Sequence, residues 1–130
     1  MESITIESLF IEQTKYTPSI SLDVEKQHFQ IIGKSYPENT FVFYSETMAW
    51  LERYFTQSLD GKTVIDFEII YFNSSSSKLF FDLLDLLEEA SKQHQVEINW
   101  IYDEENETAL EAGEDFKEDF ESLVFNLVEK

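Results

Sequence analysis

The sequence predicts an α/β fold: a mixed β-sheet with about three helices packed on it. Three observations carry that expectation. Residues 63–72 read as a strand whose upper half is apolar on both faces, as a central strand requires. Two stretches carry apolar residues three or four apart, which is one face of a helix. Along the chain the order is strands, helix, strand, helix, strand, helix, strand, which suits helices layered on a sheet. With 130 residues the chain has room for one core, so one domain over residues 1–130 is expected.

The elements follow in order. Residues 8–12 are short and apolar in the middle, residues 19–23 alternate through Ile20 and Leu22, and residues 28–32 carry Phe29, Ile31 and Ile32 before Gly33 ends the strand. Residues 23–27 are the turn of a hairpin. Ser35-Tyr36-Pro37-Glu38-Asn39 is a turn signal. Ser45-Glu46 reads as a helix start, a capping hydroxyl followed by an acid in the first turn. Met48, Leu51, Phe55 and Leu59 form the face of that helix, Trp50 and Tyr54 widen it, and Gly61 suits its exit.

In the strand at residues 63–72, Ile65, Phe67, Ile69 and Tyr71 share one face, and Val64, Asp66, Glu68, Ile70 and Phe72 the other. After Asn73 and four serines comes a strong helix. Leu79, Leu83, Leu86, Leu87 and Ala90 make its apolar stripe, against a wet face of Lys78, Asp82, Asp85, Glu89 and Lys92. Phe81 falls near that wet face. Core burial is the commoner fate of a phenylalanine; exposed, it would anchor an interface. Residues 96–102 alternate as a strand, residues 105–120 form a third helix despite Gly113, and residues 123–128 form a last strand.

Charge and composition remove several functions. Nine Lys and Arg face 27 Asp and Glu, a formal charge of −18. Such a surface repels phosphate backbones and anionic membranes, so no nucleic acid and no membrane is expected as a partner. No apolar run approaches the ~20 residues of a membrane span, and the opening Met-Glu-Ser-Ile-Thr lacks the basic start of a signal peptide. A cytoplasmic protein is the simplest reading. There is no cysteine, hence no disulfide, thiol nucleophile or thiolate metal site. His28 and His94 stand in unrelated contexts, a surface pair rather than a zinc set. Counted from Asp103, a calcium loop would need Gly at its sixth position, where Thr108 stands. Gly-rich phosphate loops and nucleophile elbows are absent. Nothing calls for a cofactor or a metal.

Three segments together resemble one family. They are Gly33-Lys34-Ser35-Tyr36-Pro37-Glu38-Asn39; Tyr71-Phe72-Asn73-Ser74-Ser75-Ser76-Ser77-Lys78, running into Asp82-Leu83-Leu84-Asp85-Leu86-Leu87-Glu88-Glu89-Ala90; and Trp100-Ile101-Tyr102-Asp103 followed by Gly113-Glu114-Asp115-Phe116. Residues 14–20, with Thr17-Pro18, fit as well. In this order, over nearly the whole chain, they resemble the SiaC family of phosphoregulated proteins. The resemblance implies a fold like the STAS domain of anti-sigma-factor antagonists. It implies a non-enzymatic regulator cycled by a protein kinase and a PP2C-type phosphatase, whose dephosphorylated form activates an effector such as a diguanylate cyclase. The family's phosphoacceptor, a threonine directly after the asparagine, corresponds to Ser74, with Ser75 and Ser76 as alternative acceptors. Tyr36, Pro37, Glu38, Asn39, Asn73, Ser75, Ser76 and Lys78 are the expected partner-binding positions.

Without the family, Ser74 lies between a strand and a long helix, where it can cap the helix by accepting a backbone N–H. A helix start also suits a phosphate, through its free N–H groups and the positive end of its dipole, and Lys78 lies four residues on. The Tyr36 turn is expected beside the Ser74 loop, either as a rigid turn or as a partner contact. Two other classes remain open: a small-ligand-binding domain or enzyme with a pocket near Ser74, and an oligomeric scaffold.

Overall fold

The computed structural model describes residues 6–130; the opening residues 1–5, whose composition bears on a signal peptide, lie outside them. The element order is β1 (Leu9–Ile11), β2 (Ser19–Asp23), β3 (His28–Ser35), α1 (Thr40–Tyr54), β4 (Lys62–Phe72), α2 (Ser74–Ala90), β5 (Gln95–Tyr102), α3 (Glu107–Asp119) and β6 (Val124–Glu129). The mixed sheet with three helices is as expected. Its strand order, which the sequence left open, is simply β1-β2-β3-β4-β5-β6. The first three strands pair antiparallel, and β3 to β6 run parallel through the helical crossovers.

The turn between β2 and β3 is closed by Asp23, whose Oδ1 accepts from the Lys26 N–H at 3.1 Å, and by Gln27 at φ 50°. β4 lies inside the sheet between β3 and β5, as expected, but only one of its faces is apolar and buried; Ile70 and Tyr71 at its upper end are exposed. Phe29, Ile31, Phe67, Ile98 and Trp100 point to the same side and are fully or almost fully buried. All three helices meet that side: Phe29 packs edge-on against Trp50 and Tyr54 of α1, Phe67 against Phe80 of α2, and Trp100 against Phe116 of α3. Parallel strands are usually covered on both faces. The far face here is instead a row of polar side chains bonded to one another. His28 Nε2 lies 2.7 Å from Asp66 Oδ2, Asn99 donates to Asp66 Oδ1 at 2.9 Å, and Asn126 donates to Asn99 at 3.0 Å.

Several boundaries differ from expectation, each for a local reason. Helix α1 starts at Thr40, five residues before Ser45, because the Asn39 side chain accepts from the Val42 N–H and caps it. Ser45 is an exposed interior residue whose hydroxyl donates to Val42 O. The helix stops at Tyr54; Phe55 and Leu59 keep the helical spacing but pack on the core from the following loop. Gly61, at φ +76°, therefore does not form the helix exit but leads into β4.

Strand β3 does not end at Gly33. It continues to Ser35 through Gly33 at φ +133°, where a Cβ would press to 3.2 Å on Pro18 Cα. The pairing with β4 shifts there, Gly33 to Ile69 but Lys34 to Tyr71, leaving Ile70 as the extra residue of a bulge. The bulge reverses the alternation. Tyr71 turns to the outer side and is exposed, while Phe72 turns inward onto Phe80 and Trp100, the opposite of the simple two-residue period.

Candidate functional site

The three parallel crossovers bring the starts of all three helices to the same end of the sheet, where ligands and partners of α/β folds gather. Each start is capped by an asparagine: Asn39 accepts from Val42 N–H, Asn73 from Ser76 N–H and Asn106 from Ala109 N–H, at 3.2, 2.9 and 3.1 Å. Asn106 Nδ2 also donates to Ile70 O at 3.0 Å, tying α3 to the bulge.

The cap of α2 is thus Asn73 and not Ser74, a correction with a plain cause. The asparagine side chain reaches the amide three residues on, which makes Ser74 the first helical residue. The serines then separate by helical phase. Ser74 and Ser75 are exposed. Ser76 is fully buried, its hydroxyl 2.8 Å from Ser35 Oγ, which in turn lies 2.6 Å from the buried Tyr44 hydroxyl. Burial pushes the Tyr44 phenol well above its ordinary pKa, with the Ser35 bond acting in the opposite sense. The Asn73 N–H donates to Ser35 O at 3.1 Å. Backbone and side chains of β3, α1 and α2 are therefore locked directly beneath the exposed serines.

Ser74 and Ser75 open onto different grooves. Ser75 joins Glu38, Asn39, Phe41, Lys78 and Asp82 around a cavity of about 290 Å³ between α1 and α2. Ser74 joins Ser77, Lys78, Phe81, Asp115 and Asp119 between α2 and α3. Lys78 borders both, and its Nζ lies 3.6 Å from Asp82. Phe81 is 43% exposed and leans on Phe120 at 4.9 Å between ring centres, so it is not a core residue. Its place one residue past the sheet-facing Phe80 turns it outward.

Of the other sequence-derived positions, Glu38 and Asn39 are exposed at this end. Pro37 is buried, and the Tyr36 ring packs edge-on between Tyr16 and Tyr71, so the turn does lie beside the Ser74 loop. Sequence reasoning missed Phe41, 72% exposed at the first turn of α1, along with Ser35 and Tyr44. A correct reading of Asn39 as a cap would have found Phe41, but the hydroxyl chain pairs residues up to 41 positions apart and left no local signal. Among the described residues no group of His, Asp and Glu is arranged to hold a metal, and no helix is long and apolar enough to cross a membrane.

Comparisons with known proteins converge. The model of the SiaC family regulatory phosphoprotein matches residues 11–130. A protein of Pseudomonas aeruginosa (strain UCBPP-PA14), itself uncharacterized, is 38% identical over 114 residues, covering 85% of this chain and 88% of that one. SiaC of Pseudomonas aeruginosa superimposes with a TM-score of 0.79 at 33% identity, over 95% of this chain and 97% of that one. A chain in the crystal structure of the diguanylate cyclase SiaD in complex with its activator SiaC, from the same organism, gives 0.79 at 35% identity, over 93% and 97%.

Proposed function

This chain belongs to the SiaC family of regulatory phosphoproteins, and from that premise we propose that it is a phosphorylation-switched activator that acts as a single domain by binding protein partners, with no catalysis of its own. The observation that carries the reading is the division of the serines on α2. Ser74 is exposed at the first helical position, while Ser76, directly below, is fixed in the core. Ser74 is the acceptor. Ser75, also exposed, faces the α1/α2 cavity, and Ser76 has no access to a kinase.

In the kinase step Ser74 Oγ bonds to the terminal phosphorus of ATP, the bridging oxygen leaves with ADP, and the hydroxyl proton is lost. A PP2C-type phosphatase returns the serine and inorganic phosphate by hydrolysis. The helix dipole favours a phosphate here, and Lys78 is near enough to exchange Asp82 for it. The Asn73 cap already occupies the Ser76 amide, so the phosphate gains little from that donor. Asp115 and Asp119 border the same groove. The modification thus adds about −1.5 to −2 charges to an already acidic end. The partner surface is the exposed ring of Glu38, Asn39, Ser75 and Lys78, with Tyr36, Pro37, Asn73 and Ser76 holding it in place. The unmodified form binds the effector there and the phosphate repels it; that SiaC forms a complex with the cyclase SiaD supports an effector of this kind. Kinase, phosphatase and cyclase place the cycle in the cytoplasm.

The test has two steps. Protein isolated from its host, with and without phosphatase treatment, is expected to carry one removable phosphate on Ser74. Ser74→Asp is then expected to abolish activation of a diguanylate cyclase from the same host while the circular dichroism spectrum and melting point stay unchanged. A cyclase activated equally by both proteins would sink the reading.

A further inference from the structure

The α1/α2 cavity does not end at Asp82. The same residue borders a second, larger trough of about 540 Å³ that runs on between the two helices to His94. Its floor is apolar: Met48, Phe55, Leu86 and Ala90, all half-buried and packed on the edge of the core. Its rim is acidic: Glu52 from the α1 side, and Asp82, Asp85 and Glu89 from α2. Glu52 and Asp85 have no ion pair among the described residues; Glu89 has only Lys92, itself largely exposed. On α2 the lining positions recur every three or four residues, the mark of one helix face. That face is distinct from the one on the sheet, where Phe80, Leu83, Leu84 and Leu87 are completely buried.

We infer that this trough is a docking groove for an amphipathic helix of a partner protein, apolar on one face and edged with Lys or Arg. Two parallel helices leave a furrow in which a third packs ridge into groove. An apolar face seats on the floor in the manner of helix-in-groove recognition. Basic flanks meet the acidic rim, which supplies specificity and a fast encounter. A 17-residue α2 is about 25 Å long, room for roughly four turns of a partner. The inference rests on the reading of this chain as a partner-binding switch and names the partner's chemistry. Continuity through Asp82 leads the docked helix to the cavity bordered by Ser75 and Lys78.

The test uses the unphosphorylated full chain and a synthetic helical peptide of about 18 residues, Leu on one face and Lys and Ala on the other. A scrambled peptide of equal composition controls for plain attraction to an acidic protein. The helical peptide is expected to bind at least about tenfold more tightly than the scrambled one. Amide shifts in NMR are expected to cluster at residues 48–56 and 82–93. Two variants separate charge from shape: Glu52→Lys with Asp85→Lys and Glu89→Lys, and Ala90→Trp, which fills the floor without changing charge. Each is expected to weaken the helical peptide about tenfold with its melting point retained. Equal affinity for both peptides, shifts centred on the open sheet face, or variants that bind like the parent would overturn the inference. Ser74→Asp leaves the trough unaltered and serves as the separating control. Peptide binding lost while the Ser74 switch still works would sink the groove alone; the reverse would sink the switch alone.

Discussion

At Ser74 and Ser76, two residues apart, the backbone is the same and the fates are opposite: one hydroxyl lies in solvent and the other in the core. Asn73 decides which is which, because its cap fixes the helical phase at the first turn. The residue pattern Asn-Ser-Ser-Ser-Ser shows the presence of a capped helix start but not its phase, since all five residues are good caps. Resemblance to the family singled out Ser74, and geometry gives the physical ground for preferring it to Ser76. Beneath it, Tyr44 offers a test of the buried hydroxyl chain. Its phenol titrates higher in the folded protein than the ordinary value of 10. The folded state therefore holds the proton where the unfolded state has released it, so the associated stability is complete below about pH 10 and falls as the pH rises further. Tyr44→Phe is expected to lose about 1 kcal/mol at pH 8, from the missing bond to Ser35. It is also expected to show a shallower loss of stability between pH 10 and 11 than the parent. Parallel slopes in urea titrations would contradict this account of Tyr44.

Helices and strands were legible wherever a simple period held. β2, β4, β5 and β6 lie within a residue or two of their expected limits because alternation is unbroken over most of each. The misreadings occur where a second effect overrides the period. In α1 the serine before an acid looked like a cap, but an asparagine six positions earlier was already available. At the ends of β3 and β4 a bulge inserts one residue, which no period of two can foresee. Gly113 looked like a weakness in α3 and is a packing requirement. A Cβ there would sit inside contact distance of the Trp100 ring and 2.8 Å from Leu127 Cδ2. Gly113→Ala therefore sets a helix-propensity gain of about 1 kcal/mol against an overpacking cost of typically 1–3 kcal/mol. Net destabilisation, by up to about 2 kcal/mol in thermal or urea unfolding, is expected. A stabilised variant would mean that α3 can lift from the sheet at no cost.

Over the whole molecule, −18 charges on 130 residues make association with a basic partner dependent on salt. Raising ionic strength from 0.05 to 0.5 M shortens the screening length several-fold. Effector association is expected to slow at least about tenfold over that range, while dissociation changes far less. Stopped-flow mixing would separate the two rates, and a salt-independent association rate would remove charge from the recognition. The one-sided helical layer gives this charge a direction, since the grooves lie among helices and the open sheet face is occupied by its own polar ladder. The sequential strand order has another effect, on how the molecule comes into being. Every strand pairs with the one made immediately before it. During synthesis each new unit meets an edge that already exists and waits for no later strand. The hairpin can thus serve as the template, and the strand–helix units add to it in the order in which they leave the ribosome, β4 and α2 ahead of β5, α3 and β6.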